Sequence, residues 1–181
     1  MTADGPVEST IALYKSEAVI DLPTTHKRAK KYGSGGASIT SVWVSNAVNE
    51  KTQRINNLEP ITISLAADLD TAYQNGKDLA FAFGIDADSG YRLFTCVSSW
   101  EDKQFTTHGA KIVAHCHIPF VPLVPGTYTI AAAIIYRNDF LDFLQPCAPF
   151  EVIKQTTSGN ENREVAHGYV DLPFSFEFQH Q

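Results

Sequence analysis

Ile61-Thr62-Ile63-Ser64-Leu65-Ala66-Ala67-Asp68-Leu69 is the stretch that decides the fold. Its apolar residues Ile61, Ile63, Leu65, Ala67 and Leu69 take every second place, with Thr62, Ser64, Ala66 and Asp68 between them. Neighbouring side chains of an extended chain point to opposite faces, so this period of two describes a strand with one buried face. The same alternation returns downstream. Leu79, Phe81, Phe83 and Ile85 alternate with Ala80, Ala82, Gly84 and Asp86. Ile112, Ala114, Cys116 and Ile118 alternate with Lys111, Val113, His115 and His117, and Tyr128, Ile130, Ala132 and Ile134 repeat the pattern.

Residues 38–44, 91–97, 149–153 and 169–178 complete a set of about eight strands. Turn signals separate them: Asn75-Gly76, Asp88-Ser89-Gly90 and Pro125-Gly126. No helical periodicity interrupts the strands after residue 37. The expected fold is all-β, an antiparallel β-sandwich in which the apolar face of one sheet packs on that of the other. Ahead of it, Val7, Ile11, Tyr14 and Ala18 mark one stripe of a short helix that ends before Pro23. The chain thus divides into a helical tether with a basic linker, residues 1–32, and a sandwich domain, residues 33–181.

Composition narrows the function. A chain of 181 residues suits one domain with short appendages. Its net charge of −6 argues against a nucleic-acid binder, whose footprint is a basic face. The one basic run, His26-Lys27-Arg28-Ala29-Lys30-Lys31, reads as a solvated linker. No apolar run reaches the ~18 residues that cross a bilayer, and Met1-Thr2-Ala3-Asp4-Gly5 lacks a secretory signal pattern. Three cysteines without CxxC spacing fit a reducing compartment better than a disulfide scaffold.

Two strands carry small residues on the side away from the core: Ala80, Ala82 and Gly84 on one, Thr129, Ala131 and Ala133 on the other. A solvated face would carry Lys, Glu or Gln there. Small residues leave a trough in which a ligand lies close to the backbone, or which a neighbouring loop or subunit covers. Ala82, Thr129 and Ala131 would floor it. Phe94, Trp100 and Tyr136 stand at strand ends as stacking faces for a sugar, with Arg92 and Arg137 nearby to pair with an acidic group.

Motifs for catalysis are missing. His115 and His117 share one face of a strand, and Gly109 stands ahead of them as in the first half of the cupin metal motif. Phe120-Val121-Pro122 then replaces the expected glutamate, and two ligands without a third hold zinc or iron poorly. The pair reads as surface histidines, and no metal is assigned. Asp68-x-Asp70 and Asp86-x-Asp88 offer paired carboxylates, but acidic residues before turns are common in strand proteins. Gly33-Ser34-Gly35-Gly36 lacks the GK[ST] ending of a phosphate loop, and nothing reads Gly-x-Ser-x-Gly.

Taken in order, several segments resemble the C-terminal carbohydrate-binding domain of the Wzt-type ATPase subunit of O-antigen polysaccharide ABC exporters. They are Tyr32-Gly33-Ser34-Gly35-Gly36-Ala37-Ser38-Ile39, Phe83-Gly84-Ile85-Asp86-Ala87-Asp88-Ser89-Gly90-Tyr91-Arg92-Leu93-Phe94, and Cys116-His117-Ile118-Pro119-Phe120. Leu123-Val124-Pro125-Gly126-Thr127-Tyr128-Thr129-Ile130, Phe150-Glu151-Val152 and Gly168-Tyr169-Val170-Asp171-Leu172-Pro173 follow. The likeness runs over about residues 30–175.

The resemblance implies an immunoglobulin-like sandwich that binds the non-reducing end, or cap, of a finished O-polysaccharide without catalysis or cofactor. It implies a transporter ATPase domain and a membrane subunit as partners, and a cytoplasmic place at the inner face of the bacterial inner membrane. It also implies a homodimer, with residues 169–178 as the strand exchanged between protomers and 158–181 as the segment that carries it. The chain holds no phosphate loop, so hydrolysis is not assigned to it. Two other readings stay open at this level: a cupin-like sugar-modifying enzyme using His115 and His117, and a purely structural dimerisation module.

Overall fold

The computed structural model describes residues 30–74, 78–101, 109–154 and 168–170. The N-terminal helix, most of the basic linker and residues 171–178 of the exchange segment lie outside them. Nine strands run through the described residues: β1 (Lys30–Tyr32), β2 (Ala37–Ser45), β3 (Arg54–Asn56), β4 (Ile61–Leu69), β5 (Leu79–Ala87), β6 (Arg92–Val97), β7 (Lys111–Ile118), β8 (Gly126–Tyr136) and β9 (Asp139–Ile153). The only helical turns among the described residues are two three-residue 3-10 segments, Thr71–Tyr73 and Ser98–Trp100.

The strands form two sheets. The larger has the order β1-β9-β8-β5-β6, with β3 added beside β9, and the smaller has the order β2-β4-β7. Every pairing is antiparallel except β3 with β9, which is parallel. The chain leaves the small sheet after β2 and reaches β9 already running in its direction, over three residues only. β1 and β3 both pair with β9, at 143–145 and 151–153, and so cover two stretches of an edge that would otherwise expose unpaired backbone.

The alternation read from sequence becomes the core. Ile63, Leu65, Ile85, Ile130, Ile134 and Leu144 are fully enclosed between the sheets. Each buried branched side chain of this size contributes about 1.5–3 kcal/mol relative to exposure. Buried Asp142 ties the sheets together from inside. Its carboxylate accepts the Ile39 backbone N–H at 2.7 Å, next to the bulge where the β2–β4 register shifts between Ile39 and Ser41. A bulge frees one ladder donor, and the aspartate supplies the acceptor that donor needs.

β9 begins at Asp139, ten residues before the stretch that alternation picks out. Its first part has no clean period, because the β8–β9 register shifts twice, between Ile130 and Ala132 and between Ile134 and Ile135. β1 also adds Lys30–Tyr32 to the sheet, where Tyr32 stacks on Phe143 at 4.4 Å between ring centroids.

Candidate functional site

The outer face of the small sheet gathers a set of polar and aromatic side chains in register rows. One row is Trp43, Ser64 and His115; the next is Ser45, Thr62 and His117. Both imidazoles are exposed, while the hydroxyl residues beneath are buried: Ser64 at 1% and Thr62 at 8% exposure. A buried hydroxyl needs a partner, and here the partner is the ring above it. Ser64 Oγ lies 2.8 Å from His115 Nδ1, and Thr62 Oγ1 lies 2.9 Å from His117 Nδ1. Each imidazole is therefore held in a fixed orientation, with its Nε2 edge turned away from the hydroxyl. The two rings lie roughly parallel, 6.3 Å between centroids.

Trp43 meets His115 edge to face at 6.4 Å, and the Lys51 ammonium sits 4.0 Å above the indole. Cation–π attraction keeps that charge on the face. Beside His117 and Thr62 opens a shallow cleft of about 360 Å³, walled by Asn46, Asn49, Pro60 and Pro119 among others. Its size falls in the range of small-ligand sites. Exposed imidazole and amide edges over a rigid floor are suited to a hydroxyl-rich ligand. Among the described residues no group of three His, Cys, Asp or Glu side chains could hold a metal ion.

The residues singled out from sequence fall into separate places. Ala82, Ala131, Thr129 and Arg92 do share the outer face of the large sheet. The floor there is closed: Ala82, Ala131, Ala133 and Phe143 form a buried apolar cluster, each at most 8% exposed. Arg92 lies across Gly84, where a Cβ would stand 2.3 Å from its Cζ. The guanidinium pairs there with Asp86, only 2% exposed, and donates to Thr95 Oγ1 at 3.1 Å. Gln145 donates to the other Asp86 oxygen at 2.9 Å. Of the two readings of the trough, cover by the chain's own groups is the one this burial supports.

Phe94 pairs with Ile85 and packs toward the main core rather than presenting a free ring. Tyr136 also faces inward, edge-on to Tyr73 at 5.2 Å. Arg137 sits at the tip of the β8–β9 hairpin with φ of 48° and pairs with Asp78 at 2.9 Å. That hydrogen bond raises the Arg137 pKa further above its ordinary value. Trp100 is 71% exposed and, through Ser98 bonded to the Phe81 N–H, lies beside the start of β5. Arg92 and Arg137 are separated by the length of β5 between Asp86 and Leu79, about 23 Å at ~3.3 Å per residue. The eight residues therefore do not converge on one surface.

Trp43, Ser64 and Thr62 were missed by sequence reasoning. The available signal was parity: Trp43 sits between core positions Val42 and Val44, so it must point outward. Thr62 and Ser64 are likewise the polar half of the stretch that decides the fold.

Two sheets packed face to face define a β-sandwich domain. The family model for the Wzt C-terminal domain matches residues 28–172, and the chain belongs to that family, which is associated with O-antigen ABC exporters. The fold agrees with a crystal structure of the C-terminal domain of Wzt, with a TM-score of 0.69 at 18% identity. That match covers 84% of this chain and 89% of the other. An alkylpurine DNA glycosylase from Pseudomonas fluorescens matches at TM-score 0.42 and 20% identity, over 66% of this chain and 31% of that one. An immunoglobulin-like protein from Pseudomonas aeruginosa matches at 0.31 and 16%, over 68% and 97%. No curated protein matches the chain. Among the described residues no helix is long and apolar enough to cross a membrane.

Proposed function

We propose that this domain recognises the non-reducing terminus of an O-antigen polysaccharide, so that an ABC transporter exports that glycan. The recognition is non-catalytic. One observation carries the location: two exposed imidazoles, each fixed by a buried hydroxyl, stand beside Trp43 and an open cleft. Fixed donors and acceptors bind sugar hydroxyls with little ordering cost, and one or two sugar units bury little area, so affinity is modest. Family membership supports the substrate class and the transporter context. The same reading places the domain at the cytoplasmic face of the inner membrane, beside a transporter ATPase domain and a membrane subunit. It also takes the domain as a homodimer that exchanges residues 169–178.

Calorimetric titration with the O-polysaccharide of the same source, against an unrelated O-polysaccharide, tests the function. Binding to the cognate glycan alone is expected. His115→Ala is expected to weaken it at least tenfold, and Ser64→Ala by several-fold through loss of ring orientation. Trp100→Ala and Arg137→Ala test the competing location at the start of β5. If those two weaken binding while His115→Ala does not, the site lies there instead. A folded domain that ignores its own glycan would leave the structural-module reading.

A further inference from the structure

The cleft beside His117 has a lining of two kinds. Pro60 precedes Ile61 and Pro119 follows Ile118, the terminal register pair of β4 with β7, so two exposed proline rings flank the cleft at the end of these strands. Proline has no backbone N–H, so this part of the wall offers apolar surface and no donor. Exposed Ala47 adds a methyl to the same lining.

The rest is the loop after β2, which Asn46 holds from within. Its side-chain oxygen accepts the N–H groups of Val48 at 3.1 Å and Glu50 at 2.9 Å, and its amide donates to Glu50 Oε2 at 3.3 Å. Asn49 donates its backbone N–H to the Asn46 carbonyl at 3.0 Å and takes a left-handed φ of 62°. Its side-chain amide makes no hydrogen bond to a described residue, and it lines the cleft together with His117. The free polar groups are thus an amide, which both donates and accepts, and the Nε2 edge of an imidazole.

No Lys, Arg, Asp or Glu lines the cleft. The nearest charges in sequence have other partners: Glu50 accepts from the Asn46 amide, and Lys51 lies 4.0 Å over Trp43. A phosphate or carboxylate seated here would lose water without gaining a fixed countercharge. An unsubstituted sugar would turn hydroxyls to prolines that cannot donate to them, and a methyl ether would leave the Asn49 amide unmatched. An acetamido group suits both parts of the lining. It carries a donor and an acceptor for Asn49 and a methyl for the prolines.

Given a glycan site on this sheet face, as proposed for the function, we infer that the cleft selects a terminal sugar carrying an acetamido group, with Asn49 as the residue that reads it.

The test titrates the whole chain, followed by heteronuclear NMR, with the methyl glycosides of N-acetylglucosamine and N-acetylgalactosamine. Methyl glucoside and methyl galactoside, in which hydroxyl replaces acetamido, and a hexose phosphate are the controls. At least one acetamido sugar is expected to shift the amide signals of Asn49 and His117, and to bind about fivefold or more tighter than its hydroxyl counterpart. Asn49→Gly keeps the left-handed backbone, which glycine adopts freely, and should bring that ratio to about one. Equal binding of the paired sugars by the wild type, an unchanged ratio in Asn49→Gly, or tighter binding of the hexose phosphate overturns the inference. Competition against the O-polysaccharide then tells the ligand class from the location. A glycan that binds through His115 but is not displaced by the acetamido sugar removes this inference alone. A glycan whose binding ignores His115→Ala removes the location, and this inference with it.

Discussion

Gly84→Ala separates two effects that act at one atom. The new methyl would stand 2.3 Å from Cζ and Nη1 of Arg92 and 2.6 Å from its Nε. Those atoms end a flexible side chain, so the guanidinium moves and the clash itself is cheap. What is lost is the ion pair to Asp86, a carboxylate only 2% exposed. Breaking a buried pair costs about 3–5 kcal/mol. Two features reduce that: the Arg92 side chain is 34% exposed, and Gln145 keeps its 2.9 Å bond to Asp86. A loss of about 2 kcal/mol remains, less the ~0.5–1 kcal/mol by which alanine is better than glycine within a strand. The net expectation is a destabilisation of about 1–1.5 kcal/mol.

Urea unfolding followed by fluorescence measures it, and a double-mutant cycle supplies the decision. In an Arg92→Ala background the three atoms nearest the new methyl are gone, so the same Gly84→Ala change should be neutral or slightly stabilising. If it costs as much there as in the wild type, the glycine is needed for some reason other than seating Arg92. The account of the closed trough would then fall.

Asp142→Ala removes the acceptor of the Ile39 N–H from a fully buried position, and should cost about 2–3 kcal/mol in the same unfolding assay; a change below 0.5 kcal/mol would show that the bulge does not depend on it. Tyr128 donates its buried hydroxyl to the Val124 carbonyl at 2.8 Å, so Tyr128→Phe should cost about 1 kcal/mol at neutral pH. Desolvation, with a smaller contribution from Tyr169, raises the Tyr128 pKa in the folded chain. The folded state then keeps a proton that the unfolded state gives up, so its stabilising effect is whole below about pH 10 and declines as pH rises from there. Unfolding midpoints at about pH 9 and pH 11 should therefore fall less in Tyr128→Phe than in the wild type; an equal fall in both would remove burial of this phenol from the account.

Strand identity was legible because it is local. Alternation needs only neighbours in sequence, and it located the β4, β5, β7 and β8 strands and the sandwich they build. It lost the first part of β9 because two register shifts and the inward-facing Asp142 break the period there. The trough was also legible as a run of small residues, but its state was not. Ala82 and Ala131 are closed over in a cluster with Phe143 of another strand, and Gly84 lies under Arg92 as it reaches Asp86. Phe94 looked free at a strand end, and only its pairing with Ile85 turns it inward.

Sequence alone determined a two-sheet sandwich, its apolar faces and its likeness to one family, since these follow from periodicity and the order of short segments. The tertiary structure decided where a ligand could meet the chain. Trp43, Ser64 and His115 become one row only when three strands pair in register, and the hydroxyl that orients His115 is 51 residues away from it. Hydrogen bonds of this kind form between residues made neighbours by packing, and the linear order of the chain carries no record of that distance.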